Sequence, residues 1–413
     1  MEYKLISFLG TSYYQETKYK IDDFCYESTY IQEALIHSIL EKLDEQDTLQ
    51  VFVLLTEKAK KTNYEHNADR EKQKSFSEIN FSGRVSVTPM SIPDGKTEEE
   101  IWLIFNTIFD LLESGDRIYM DITHGFRSLP MVLSAMLNYA QFIFKDLTLK
   151  EIFYGAYEAQ LEGCSPVFHL TPFVMLQNWA VGADKFLNTG DANLFEHMSA
   201  EIRQLKQNIS DSIYLKHLGE LSKELRYFML SLKTNRVSDV INRALKIQKI
   251  FEQIDDCGTE KIGALAPFLH VIGQIRTMTA NFREGDLIWN VHEIAKLCYR
   301  FGMYQQTYTL IEENVVNCLM KNSCKKTEDY FKYKKRDSFK KAYQKWFRKE
   351  NPDQAILSKI DARYLNAPCF HFLDCDKIRN DVNHGGMAGN SHSAKEIKNG
   401  GGKKLEDFER LFL

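Results

Sequence analysis

Near its C-terminus the chain reads Arg379-Asn380-Asp381-Val382-Asn383-His384-Gly385-Gly386, a set of side chains able to act on a phosphodiester. Histidine exchanges protons near neutral pH. Cleaving RNA without a metal requires one proton to leave the attacking 2′-hydroxyl and another to reach the departing 5′-oxygen. The negative charge gathering on phosphorus meanwhile suits a guanidinium fork. On a helix, Asn380 and His384 are four residues apart and share a face, so Asn380 could orient the imidazole or the phosphate. Arg379 points about 140° away from His384, a gap that a long side chain spans. Gly385-Gly386 predicts a helix stop directly after His384. By spacing alone the same residues equally describe a polar helix end without chemistry.

A second group is Asp121-Ile122-Thr123-His124-Gly125-Phe126-Arg127-Ser128, placed between a strand-like and a helix-like stretch. Gly125 lets backbone approach a ligand closely. Ser128 can cap a helix with Pro130 in its first turn, and that helix start favours an anion. His124 and Arg127 add donors, Thr123 can bond phosphate or ribose, and Phe126 lies within the same loop. Gly10-Thr11-Ser12 ends the first strand-like run, and Thr56 ends another. Parallel α/β sheets bind ligands beyond the carboxyl ends of their strands. Neither a Gly-x-Gly-x-x-Gly nor a Gly-Lys-Ser/Thr ending is present. A helix-capping loop with incidental polar residues would look the same.

The elements that must carry these groups fall into two grammars. Strand-like runs at 4–9, 49–55, 85–87, 117–122 and 150–154 alternate with helical patterns. One helix is expected around Ile31, Ala34, Leu35, Ser38 and Ile39, one over 98–112 and one over 131–144. Such alternation predicts an α/β layer with a mostly parallel sheet. Past Thr171-Pro172 the periodicity is helical, with a weak break near Asp255 to Gly258, and an all-α second half is expected. Residues 64–83 read as a polar, mobile loop. Residues 385–402 read as a Gly- and Ser-rich loop before a short final helix around 405–412.

With 413 residues, 44% apolar and 27% charged, the chain is long enough for two domains of ordinary globular composition. No run of 18 apolar residues suggests a membrane span, no secretory signal opens the chain, and a cytoplasmic protein is expected. The eight cysteines form no Cys-x-x-Cys pair. Cys369, His371 and Cys375 are the nearest approach to a metal cluster and are weak as one. The net charge of −4 excludes a generic nucleic-acid coat. Residues 321–349 nevertheless carry a local excess of about +9 interleaved with aromatics, either an RNA-facing surface or an amphipathic helix with aromatics in the core.

Asp121-Ile122-Thr123-His124-Gly125 resembles the Asp-x-Thr-His-Gly motif of CRISPR-associated proteins with a CARF domain, the Rossmann-like sensor of type III systems. Phe8-Leu9-Gly10-Thr11-Ser12, Ser165-Pro166-Val167-Phe168 and Leu170-Thr171-Pro172-Phe173 resemble further features of these sensors. Arg379-Asn380 followed by His384 is similar to the Arg-x4–6-His motif of HEPN ribonucleases, and Arg300 to Gln306 leading into Leu310 to Glu313 is similar to an early HEPN helix. The resemblance implies a CARF sensor over 1–175 and an all-α linker and HEPN domain over 176–413. It implies a cyclic oligoadenylate, most commonly the tetra-adenylate, bound by Gly10, Thr11, Ser12, Thr56 and the loop 123–128. It further implies a homodimer or higher homo-oligomer that cuts single-stranded RNA with Arg379, Asn380 and His384, with no metal or organic cofactor. Two alternatives stay open: a sensor whose helical half docks a partner, and one that degrades its own messenger.

Overall fold

The computed structural model describes residues 1–65, 74–125, 129–144, 146–192, 212–256, 266–365, 372–387 and 391–410. It separates into two compact units, Met1–Asn178 and Trp179–Leu413, and the boundary falls inside the helix Thr171–Thr189.

The first unit holds an eight-stranded sheet ordered β3-β2-β8-β7-β6-β1-β4-β5. Its strands are β1 (Glu2–Leu9), β2 (Thr17–Ile21), β3 (Phe24–Ser28), β4 (Thr48–Leu55), β5 (Val85–Ser91), β6 (Arg117–Asp121), β7 (Thr148–Gly155) and β8 (Cys164–His169). From β5 through β4, β1 and β6 to β7 every pairing is parallel. β1 shows why both faces must be covered. Its odd residues Tyr3, Leu5 and Leu9 enter one core with Leu35 and Ile39 of helix Ile31–Lys42. Its even residues Ile6 and Phe8 enter the other, with Ile104 and Ile108 of helix Glu98–Phe109 and Met136 and Leu137 of helix Leu129–Ile143. The period of two thus distributes an almost unbroken apolar run over two helix-covered faces.

Three expectations change here. The hairpin of β2 and β3 and the strand β8 extend the sheet, although their sequences contain no long apolar run; the hairpin turns at Asp22, in the left-handed region at φ 53°. Pro89 lies within β5, which therefore runs past Val87. A proline is tolerated there because β5 is an edge strand. The stretch expected as a polar, mobile loop anchors Phe76, 1% exposed, against Tyr30 at 5.5 Å between ring centroids. Residues 66–73 of that stretch lie outside the described residues.

The second unit is helical throughout its described residues. Helices Leu287–Arg300 and Tyr304–Met320 join at Gly302, φ 71°, and the long one packs on Tyr333–Phe347, Phe372–Asn383 and Ala394–Glu409. The last of these corrects the expected glycine-rich loop: Gly400, Gly401 and Gly402 sit in mid-helix. A Cβ at Gly400 would stand 2.7 Å from the Tyr308 hydroxyl, and one at Gly402 2.7 Å from that of Tyr299. The glycines serve close helix packing rather than a turn. The helix begins at Ser393, whose hydroxyl and Glu396 form a reciprocal capping box.

Candidate functional site

Chain order places the first candidate site. From β1 the chain forms the β2–β3 hairpin at the far edge, returns to β4 beside β1, moves outward to β5, then crosses back to β6 on the other side of β1. The direction of winding reverses between β1 and β6, and in open parallel sheets a crevice forms at that point beyond the carboxyl ends. A cleft of about 460 Å³ lies there, lined by Gly10, Thr11 and Ser12 after β1, Thr56 and Lys58 after β4, Ile92, Asp94 and Lys96 after β5, and His124 and Gly125 after β6. Six of the sequence-derived residues are therefore brought together.

Asp121 is the anchor of the loop. It is fully buried and accepts from the Ser7 hydroxyl at 2.6 Å, the Gln32 amide at 3.3 Å and the Thr123 N–H at 3.0 Å. The Thr123 hydroxyl donates to Asp121 and accepts from the Gly155 N–H at 2.8 Å. Thr123 was expected to face a ligand; its hydroxyl is engaged within the loop and it does not line the cleft. Its role here is to hold His124 and Gly125 in place. Thr56 lines the cleft, but its hydroxyl caps the following turn, accepting from the Ala59 N–H at 3.2 Å. Phe126, Arg127 and Ser128 lie outside the described residues.

Tyr14 was missed by sequence. Its hydroxyl accepts from the Gly10 N–H at 2.8 Å, and its ring lies 4.5 Å from the His124 imidazole. Burial pushes the Tyr14 phenol well above its usual range. Burial also holds His124 below the usual imidazole range, against the opposing pull of Asp121. A larger residue at position 10 would displace its neighbours, since a Cβ would stand 2.5 Å from the Tyr14 hydroxyl and 3.2 Å from His124 Cβ. The Asn63 amide donates to the carbonyls of Gly10 and Ser12 at 2.8 and 3.0 Å. Lys58, Asp94 and Lys96 were also missed. The signal for them was available, because every parallel strand delivers its following loop to the same edge.

The second candidate site is on helix Phe372–Asn383. Its C-terminal end is a Schellman turn: Gly386 N–H donates to Asp381 O at 3.0 Å and Gly385 N–H to Val382 O at 3.2 Å, with both glycines at positive φ. Arg379 donates to the carboxylate of Glu312 and to the Asn380 side-chain oxygen, the latter at 3.0 Å. Glu312 is 1% exposed and also receives the Lys340 ammonium at 2.6 Å. Asn380, expected to orient the imidazole or the phosphate, instead holds the guanidinium. His384 is exposed. Asp381 is buried and accepts both the His392 N–H at 2.6 Å and the His392 ring Nδ1–H at 3.0 Å.

The basic stretch is partly consumed by packing. Arg336 bonds Asn317, the Tyr330 carbonyl and Glu313, Lys332 bonds Asp329, and Phe339 and Tyr343 are buried. Among the described residues, His292, Glu293 and Glu409 offer ligand atoms within 4.8 Å of one another. The Lys296 ammonium already sits on both carboxylates, at 3.2 and 2.9 Å, in the place a cation would take. Cys369 and His371 lie outside the described residues. No described helix is long and apolar enough to cross a membrane.

The first unit, a mostly parallel α/β sheet with a polar crevice beyond the carboxyl ends of its strands, is Rossmann-like. Residues 4–158 match the family described as the CARF domain of the CRISPR system endoribonuclease Csx1. CRISPR-associated protein MJ1674 of Methanocaldococcus jannaschii is 36% identical over 143 residues, which cover 32% of this chain and 22% of that protein's length. The solved structure of Enterococcus italicus Csm6 bound to cyclic hexa-2′-fluoro-hexa-dAMP aligns over 98% of this chain and 91% of its own, at 12% identity and a TM-score of 0.36. The first unit is thus similar to CARF domains of CRISPR-associated proteins, and a helical unit follows it.

Proposed function

We propose that this protein is a single-stranded RNA endonuclease of type III CRISPR defence, switched on by a cyclic oligoadenylate and independent of metal. The observation that carries this is the cleft at the winding reversal, in which Gly10, Thr11, Ser12, Thr56, His124 and Gly125 meet within the CARF-like unit. Backbone amides, hydroxyls and the cations Lys58 and Lys96 suit the phosphates of a cyclic nucleotide, and cyclic tetra-adenylate is the expected ring.

The messenger would bridge two sensor units and favour a dimer in which two helical units form one composite site. A face suited to a second copy exists: Trp102, Met131 and Phe142 are 63%, 83% and 85% exposed, and Trp102 continues through Phe105 to Tyr139 at ring separations of 5.5 and 6.1 Å. In the composite site His384 moves a proton, Arg379 stabilises the phosphoryl transition state, and Asn380 fixes the guanidinium. Cleavage then leaves 2′,3′-cyclic phosphate and 5′-hydroxyl ends.

The test is cleavage of a fluorescent single-stranded RNA by the full chain, in chelator, with cyclic tri-, tetra- or hexa-adenylate. Activity is expected with one ring and is expected to vanish in His384→Ala. Undiminished cleavage by His384→Ala, or loss of cleavage on adding chelator, would refute the mechanism. Messenger binding without RNA degradation would instead indicate a docking module. Destruction of labelled messenger by His384→Ala would indicate a messenger-clearing enzyme.

A further inference from the structure

Transphosphorylation needs two proton transfers, one to a base and one from an acid. A second imidazole, that of His392, is held against the same helix. The Schellman turn at Gly385-Gly386 reverses the chain, and His392 returns to helix Phe372–Asn383, where Asp381 accepts from both its backbone N–H and its ring Nδ1–H. Asp381 is 5% exposed, while the His392 side chain is 35% exposed. With Nδ1 committed to the carboxylate, the proton-accepting atom is Nε2, the division of labour by which a buried Asp fixes the tautomer of a catalytic His. Around the helix, Asp381 is about 60° from His384 at ~100° per residue, so the carboxylate that holds His392 lies on the same side of the helix end as His384.

We propose that His392, oriented by Asp381, is the second proton-transfer group of the RNA-cleaving site. The proposal rests on the ribonuclease reading above. In the step, the 2′-oxygen–phosphorus bond forms as the phosphorus–5′-oxygen bond breaks. The 2′-hydroxyl proton passes to neutral His392 Nε2, and the protonated imidazole of His384 gives its proton to the 5′-oxygen. Arg379 balances the charge on the phosphoryl oxygens. Asp381 is a positioning residue. The charged groups facing His392 are Asp381 on helix Phe372–Asn383 and Glu396 on helix Ala394–Glu409.

A purely structural role is the competing explanation, since the same contacts tether the start of helix Ala394–Glu409. His392→Asn separates the two: its amide can reproduce the Nδ1–H bond to Asp381 but has no Nε2. Full-length wild type, His384→Ala, His392→Asn and Asp381→Asn would be compared for RNA cleavage with cyclic tetra-adenylate, for pH–rate profile and for thermal midpoint. His392→Asn is expected to keep the wild-type midpoint, to lose about 10²- to 10⁴-fold in kcat, and to lose the acidic limb of the profile. Asp381→Asn should shift that limb. Wild-type-like kcat and profile in His392→Asn, with His384→Ala inactive, would overturn the dyad and leave the ribonuclease reading standing. An inactive wild type would remove both.

Discussion

Gly400→Ala sets two rules of helix stability against each other. Helix propensity alone favours alanine in a helix interior by about 0.8–1 kcal/mol. Against this, the new Cβ would stand 2.7 Å from the Tyr308 hydroxyl. Tyr308 is fully buried, and that hydroxyl donates to the Ile397 carbonyl at 2.7 Å, so it has no open space to move into. Displacing it costs about 1–3 kcal/mol for the broken buried hydrogen bond, and overpacking costs a further ~1–3 kcal/mol. The net expectation is destabilisation of about 3 kcal/mol, a fall of roughly 6–12 °C in the melting midpoint for a unit of this size. The neighbouring Gly401→Ala is the control, because its Cβ would meet Tyr299 ring carbons at 3.4 Å, an ordinary contact. There propensity wins, and a rise of about 2–3 °C is expected. Differential scanning calorimetry of both variants decides it. Equal rises in both would refute the claim that close packing, rather than a turn, explains the glycine run. A fall in Gly400→Ala that Tyr308→Phe fails to relieve would refute the assigned clash.

Three other expectations concern the first unit. Gly10→Ala should weaken binding of cyclic tetra-adenylate by about tenfold, some 1.4 kcal/mol, by pushing Tyr14 and His124 into the cleft; calorimetric titration measures this, and unaltered affinity would count against that cleft. His169 is held above its ordinary pKa by Glu151 first and by Asp22, at 3.3 and 2.9 Å. A raised folded value means that its stabilisation is complete below about pH 6.5 and is lost as pH rises through that raised value. His169→Gln should therefore lower the melting midpoint near pH 6 and converge on wild type at alkaline pH; a constant difference across the range would contradict the ion-pair assignment. Phe142→Glu should convert dimer to monomer in analytical ultracentrifugation and abolish messenger-dependent cleavage while retaining the fold; an unchanged dimer would place the interface elsewhere.

Local pattern carried much of this protein. The apolar spacing of Ile31, Ala34, Leu35, Ser38 and Ile39 specified the buried face of a helix, and all five are buried. Parallel strands separated by helices specified a sheet with one ligand-facing edge, which is why Gly10, Thr56 and Gly125 meet although they lie far apart in sequence. Gly385-Gly386 specified a helix stop, because paired positive-φ residues close a Schellman turn with local hydrogen bonds alone.

What depends on distant partners was decided only by tertiary structure. Gly400 to Gly402 read as loop because glycine weakens an isolated helix, yet Tyr308 crowds a Cβ at position 400 and Tyr299 one at position 402. Thr123 and Asn380 looked like ligand contacts because their polarity is visible in sequence. Their engagement by Asp121, Gly155 and Arg379 is not. Glu312 reaches Arg379 across 67 positions of chain, and Asp381 meets His392 only after the helix reverses. Sequence periodicity records which face of an element is buried. It does not record which polar group across the interface satisfies which, and that pairing sets the chemistry of both candidate sites.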